Sequence, residues 1–159
     1  MKILLLMFFV YLTLLSSTRF IETKYLSSLD MEISKIGIME LSNNILVINY
    51  EKPNIETIIY YEDKLTLKND KNEITTYTYE EHPKIEYFGL LLKSIINNTY
   101  ENLENMFKIK KEKNKRILTA KSSVSGTIDY LEVFYKDGKL SSINFHMINS
   151  DKITIETTN

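Results

Sequence analysis

Apolar and polar residues alternate along much of this chain, which is the period of a β-strand. Between residues 36 and 79 the alternation predicts five strands, over 36–41, 45–50, 57–61, 65–67 and 74–79. Turn-forming residues separate them at Asn43-Asn44, at Glu62-Asp63-Lys64 and over 68–72. A second series follows residue 107, with strands over 107–111, 116–120, 128–135, 143–147 and 153–155. Asp137-Gly138 in this series is a strong hairpin signal.

The period changes between the two series. From residue 84 to 96 the apolar side chains fall three and four positions apart, which predicts an amphipathic helix. Pro83 stands at its start, where a helix tolerates proline. Asn98 and Glu101 have capping-box spacing and predict a second short helix with Leu103, Met106 and Phe107 as its apolar stripe. We therefore expect a mainly β (α+β) fold, a curved antiparallel sheet with helices over one face.

The N-terminus has the pattern of an export signal. Lys2 precedes an apolar run over 3–15 and the small polar residues Ser16-Ser17-Thr18, which predicts a signal peptide over 1–17 and a single mature domain over 18–159. The run is shorter than the ~20 residues of a membrane span. The alternative is an uncleaved N-terminal anchor.

Composition narrows the functional classes. The chain has 159 residues and a net charge of -1, which becomes -2 without Lys2. This near-neutral balance argues against nucleic acid as a partner. Because there is no cysteine, a disulfide framework and a thiol-linked lipid anchor are both excluded.

Candidate catalytic residues are few. His82 and His146 are the only histidines, and their spacing does not predict a zinc site. No nucleophile elbow, P-loop or dinucleotide fingerprint is present. Glu80-Glu81 and the pair Glu101 and Glu104 fit a solvated loop and helix face better than an acid–base pair. We therefore expect that the protein is not an enzyme, that it has no catalytic residue, and that it binds neither a metal ion nor a cofactor.

Two surface features have alternative interpretations. The basic stretch 108–116 fits contact with anionic lipid or an acidic partner, or a charged hairpin that keeps a sheet edge soluble, and we favour the second. Asn97-Asn98-Thr99 matches a glycosylation sequon, but a turn and helix cap explain the same residues.

The predicted strands carry an excess of large apolar and aromatic side chains for so few helices. Either these side chains form an ordinary core beneath the helices, or incomplete cover leaves a cavity for an acyl chain. The candidates are Leu46, Ile48, Tyr50, Ile58, Tyr60, Leu65 and Leu67.

Several short motifs stand in a distinctive order between residues 19 and 156. They are Arg19-Phe20-Ile21-Glu22-Thr23-Lys24-Tyr25-Leu26, Leu29-Asp30, Gly37, residues 46–53 with Glu56 three positions after Pro53, His82-Pro83 and the apolar helix to Ile96, Leu103-x-x-x-Phe107, and Asp151-Lys152 before Ile153-Thr154-Ile155. Together they resemble the LolA-like family of periplasmic outer-membrane lipoprotein carriers.

The resemblance implies an incomplete antiparallel β-barrel whose concave apolar face is covered by a helical lid. It also implies a periplasmic, monomeric, non-enzymatic carrier that takes acylated lipoproteins from an inner-membrane ABC-type release complex to an outer-membrane receptor. The acyl chains would lie against the seven residues named above. The lid would be formed by Phe88, Leu91, Leu92 and Ile95.

Two departures from the family's pattern leave alternatives open. Family members carry an amphipathic helix before the Phe motif, whereas Phe20 here follows the signal almost at once. Better-known carriers of the family also have an arginine that helps to tie the lid to the barrel, and the corresponding position in this chain is Ser42. A carrier of the same fold could therefore move a glycolipid or another hydrophobic product. A plain exported protein-binding β-domain is the third possibility.

Overall fold

The computed structural model describes residues 17–122, 124 and 126–158. The predicted signal peptide over 1–17 lies outside the described residues except for Ser17, which begins the first strand. The described residues form eleven strands and one α-helix. The strands are β1 (Ser17–Leu26), β2 (Met31–Ser42), β3 (Ile45–Lys52), β4 (Glu56–Tyr60), β5 (Lys64–Lys68), β6 (Ile74–Thr78), β7 (Phe107–Lys111), β8 (Lys115–Ala120), β9 (Ile128–Lys136), β10 (Lys139–Met147) and β11 (Lys152–Thr158).

All eleven strands belong to one antiparallel sheet in the order β6-β5-β4-β3-β2-β1-β11-β10-β9-β8-β7. The sheet is curved and unclosed, so β6 and β7 are its two edges. The helix α1 (Pro83–Ile96) follows β6, lies over the concave face and leads through a short 3-10 helix (Glu101–Leu103) to β7. The predicted mainly β fold, a curved antiparallel sheet with helical cover on one face, is confirmed.

Two-residue turns determine the register of two hairpins. Asn43 and Asn44 join β2 to β3 with φ angles of 48° and 62°, and Asp137 and Gly138 join β9 to β10 with φ angles of 51° and 76°. These left-handed conformations suit asparagine, aspartate and glycine, and they match the twist of the flanking strands. Both turns agree with the sequence prediction.

β1 was not predicted as a strand. It pairs with β2 on one side and with β11 on the other, so it joins the two halves of the sheet. Phe20 faces the core, and the same face continues with Glu22 and Lys24. Charged residues at these inward positions remove the apolar alternation by which the other strands were recognised.

The predicted helix over 84–96 agrees with α1, but the second helix is wrong. Asn98 has a φ of 53° and terminates α1. Its amide donates to the Ile95 carbonyl at 3.1 Å, and the Thr99 amide donates to the Ser94 carbonyl at 2.9 Å. This is the hydrogen-bond pattern of a Schellman motif. The following 3-10 helix has only three residues and no side-chain cap.

The core lies between the concave face and α1. Phe20 is 1% exposed and stands directly opposite Gly37, where a Cβ atom would lie only 2.9 Å from the Phe20 ring. Gly89 brings α1 equally close to the sheet, since a Cβ there would lie 2.6 Å from Cδ1 of Tyr60. Glycine is therefore needed at both close approaches.

Candidate ligand-binding site

The seven candidate cavity residues lie on the concave face, in strands β3, β4 and β5. Antiparallel register places Leu46 opposite Tyr60, and Ile48 opposite Ile58. Leu46, Ile48, Tyr50, Tyr60 and Leu65 are buried, while Ile58 and Leu67 are half-buried and pack against them. Alternation had indicated that the members of each strand share a face, and the register now places all of them on the same one.

Five of these residues surround a small internal cavity beneath α1. Its volume is about 60 Å³, far below the roughly 300–1,000 Å³ of typical ligand pockets. Leu65 and Leu67 are not part of its lining. The cavity is lined by Phe20, Glu22, Met39, Leu46, Ile48, Tyr50, Ile58, Tyr60, Phe88, Leu92, Ile96, Ile143 and Ile155.

The candidate lid residues divide between two sides of α1. Phe88 and Leu92 reach into the 60 Å³ cavity, whereas Leu91 lines a separate cleft. Ile95 is completely buried and borders neither space. We call the space between the concave face of the sheet and α1 the seam. One face of α1 therefore fills the seam, which an apolar ligand would have to enter.

The cleft on the other side of α1 is larger, about 360 Å³, and mainly apolar. It lies between the first half of α1 and the segments around Phe107 and Ile128. Phe88 borders both spaces, and its ring centroid lies 5.9 Å from that of Phe145 and 6.5 Å from that of Tyr60. Phe88 is 37% exposed, and its side chain forms a partition between the cleft and the inner cavity.

Hydrogen bonds hold the C-terminal half of α1 to the sheet. The Tyr135 hydroxyl donates to the Ile95 carbonyl at 2.8 Å and is itself hydrogen-bonded to the Tyr100 hydroxyl. The Lys93 ammonium donates to the Tyr61 carbonyl at 3.1 Å. Burial lowers the pKa of Lys93 and raises that of Tyr135. The N-terminal half has no side-chain cap, so the two halves of the helix are unequally anchored.

Sequence reasoning missed a polar group on the concave face beside the small cavity. Tyr50 donates to Oε2 of Glu22 at 2.6 Å, and burial raises the pKa of Tyr50. Lys35 lies opposite Glu22 in the register, with its Nζ 3.6 Å from Oε2 of Glu56 and 4.5 Å from the centre of the Tyr50 ring. Glu22 follows Phe20 at strand spacing, but nothing in the local sequence indicates its partner Tyr50, which lies 28 positions away.

The remaining candidates lie away from the seam. His82 packs edge-on against Tyr77, and His146 stacks on Tyr130 beside Glu132. Within the described residues, no group of three or more His, Cys, Asp or Glu side chains could hold a metal ion. No helix in the described part of the chain is long and apolar enough to cross a membrane. The basic stretch 108–116 lies around the turn of the β7–β8 hairpin at one sheet edge.

Comparisons with known proteins give little further information. No protein-family model matches this sequence, and no curated protein matches it. The chain is similar to a solved structure of a DUF1329 family protein from Desulfovibrio piger, with 6% sequence identity and a TM-score of 0.45. The alignment covers 90% of this chain and 83% of that one. At this level the likeness assigns neither a family nor a function.

Proposed function

We propose that the protein is a carrier that binds the acyl chain of a lipid or lipoprotein in the seam between the sheet and α1. The observation that supports this most directly is the position of Phe88 between the apolar cleft and the inner cavity. Rotation of this side chain would join the two spaces into one apolar channel. Burying an acyl chain there would contribute about 0.8 kcal/mol per methylene.

The uneven anchoring of α1 supports a gated seam. Its C-terminal half is held by Tyr135 and Lys93, whereas Tyr87 and Phe88 in its N-terminal half are exposed. A lid that opens at one end can admit a ligand without unfolding the sheet. Such elements are drawn from the less stable parts of a structure.

The wider role follows the resemblance to LolA-like carriers described above. We propose export to the periplasm, transport of acylated lipoproteins between an inner-membrane release complex and an outer-membrane receptor, and no enzymatic activity. Cell fractionation with intact-mass measurement tests the export step. A soluble periplasmic species lacking about the first seventeen residues would support it, whereas a full-length species in the membrane fraction would contradict a freely diffusing carrier.

Binding of a neutral apolar fluorophore, phenylnaphthylamine, tests the seam itself. Phe88→Ala should join the two spaces and strengthen binding several-fold, because the partition is removed. Glu86→Ala is the matched control, since Glu86 lies on α1 but borders neither apolar space. Absence of binding in both the unmodified protein and Phe88→Ala, with unchanged circular dichroism, would overturn the proposed carrier function.

A further inference from the structure

A single carboxylate borders the small cavity beneath α1. Of the thirteen residues that line this cavity, Glu22 is the only charged one. It belongs to the row of concave-face residues that continues through Ile155 and Ile143. Among the described residues, Tyr50 is its one hydrogen-bond partner, at 2.6 Å from Oε2. The other carboxylate oxygen is therefore available to a ligand.

The neighbouring lysines lie against other groups. Lys35 stands opposite Glu22, but its ammonium lies near Glu56 and over the Tyr50 ring. Lys24, two positions along the same face of β1, borders a separate depression whose lining includes Asp151. Glu22, Lys35 and Glu56 together carry a net charge of -1, so this side of the seam favours a positive group.

We infer that the carried amphiphile has a protonated amine in its head group, which donates to Glu22 while the chain lies beneath α1. This inference rests on the proposed carrier function. A carboxylate in a mostly apolar surrounding gains most from an oppositely charged, hydrogen-bonding partner. The Tyr50 hydroxyl holds the Glu22 side chain in place, so little ordering is needed when the amine arrives. A head group with a carboxylate would be repelled.

Three probes with the same tail test this inference at neutral pH: dodecylamine, dodecanol and dodecanoate, each below its micellar concentration. Displacement of phenylnaphthylamine gives their affinities. We expect dodecylamine to bind about tenfold more tightly than dodecanol. Dodecanoate should bind most weakly of the three.

Two variants locate the effect. Glu22→Gln keeps the shape of the side chain and an acceptor for Tyr50, so dodecanol should bind as before while the preference for the amine disappears. Glu51→Gln is the control, because Glu51 is a carboxylate of β3 that pairs with Arg19 and does not line the cavity. It should leave the preference unchanged.

The outcomes separate the two proposals. If none of the three probes binds, the carrier function fails and this inference fails with it. If the probes bind with equal affinity, if dodecanoate binds best, or if Glu22→Gln keeps the amine preference, this inference alone is overturned. Loss of the preference in Glu22→Gln with unchanged dodecanol affinity supports it.

Discussion

Gly89 lies where α1 comes closest to the sheet. In Gly89→Ala the new Cβ would meet Cδ1 of Tyr60 at 2.6 Å, and the buried Tyr60 ring has little room to turn. Overpacking of this kind costs about 1–3 kcal/mol, which exceeds the gain of roughly 1 kcal/mol from replacing a helical glycine by alanine. We expect a lower free energy of unfolding in urea. The exposed control Glu86→Ala should stay within about 0.5 kcal/mol of the unmodified protein, and greater stability of Gly89→Ala would contradict the close approach.

The Tyr135 hydroxyl is the second residue-scale test, because it joins α1 to β9. Tyr135→Phe removes its bonds to the Ile95 carbonyl and the Tyr100 hydroxyl, both in the buried core. The Ile95 carbonyl keeps the Asn98 amide, but Tyr100 loses its partner. A loss of about 1–2 kcal/mol is expected. Thermal or urea unfolding would show it, and Tyr87→Phe, at an exposed ring, should show no comparable loss.

At the residue scale, the sequence predicted the apolar positions better than the polar ones. Alternation placed Leu46, Ile48 and Tyr50 on one face because each is flanked by residues that tolerate the opposite face. The same reasoning failed for Glu22, which faces inward. Its carboxylate accepts a hydrogen bond from the Tyr50 hydroxyl across the sheet. That pairing spans 28 positions and has no local signature.

At the scale of elements, α1 should be more dynamic at its start than at its end. We expect the amides of residues 87–90 to exchange at least several-fold faster than those of 93–96, since only the latter half is held by Tyr135 and Lys93. They should also exchange faster than residues 143–147 of β10. Hydrogen exchange with residue resolution measures both. Equal protection throughout α1 and β10 would indicate a fixed core helix and argue against gating.

The end of α1 shows why element boundaries are difficult to predict. Asn98 has the right spacing from Glu101 for a capping box, but asparagine also accepts the left-handed conformation that ends a helix. The local sequence fits both a capping box that begins a second helix and a left-handed residue that ends the first. The packing of Leu103, Met106 and Phe107 in the core accompanies the second one, in which the chain turns directly toward β7.

At the scale of the whole molecule, one pairing in the strand order could not be predicted. Most neighbours in the sheet are consecutive in sequence, and turn residues such as Asn43-Asn44 and Asp137-Gly138 indicated several of these pairs. The exception is β1 with β11, which places Phe20 opposite Thr157 and joins the two ends of the described chain. Because these two strands are far apart in the sequence, no turn motif between them indicates that they pair. α1 over the concave face then connects the two sheet edges, β6 and β7.

Buried tyrosines make the stability of the whole fold sensitive to alkaline pH. Burial raises the pKa of Tyr79 to about 12, and it also raises the pKa values of Tyr50, Tyr60, Tyr100 and Tyr135. Below about pH 10 these phenols are neutral in both the folded and unfolded states, so their contribution to stability is fully present. Above that pH the unfolded chain releases protons that the folded protein retains, and the free energy of unfolding falls as the pH rises.

The urea midpoint should therefore be lower at about pH 11 than at about pH 9. Phenolate absorbance should increase together with the loss of β-sheet circular dichroism, because the buried rings ionise when the sheet opens. Tyr50→Phe removes one buried phenol, so the fall in stability over this interval should be less steep than in the unmodified protein. Gradual ionisation of all the tyrosines in a sheet that stays intact would contradict the expectation, since it would mean that the rings beneath α1 are already reached by solvent in the folded state.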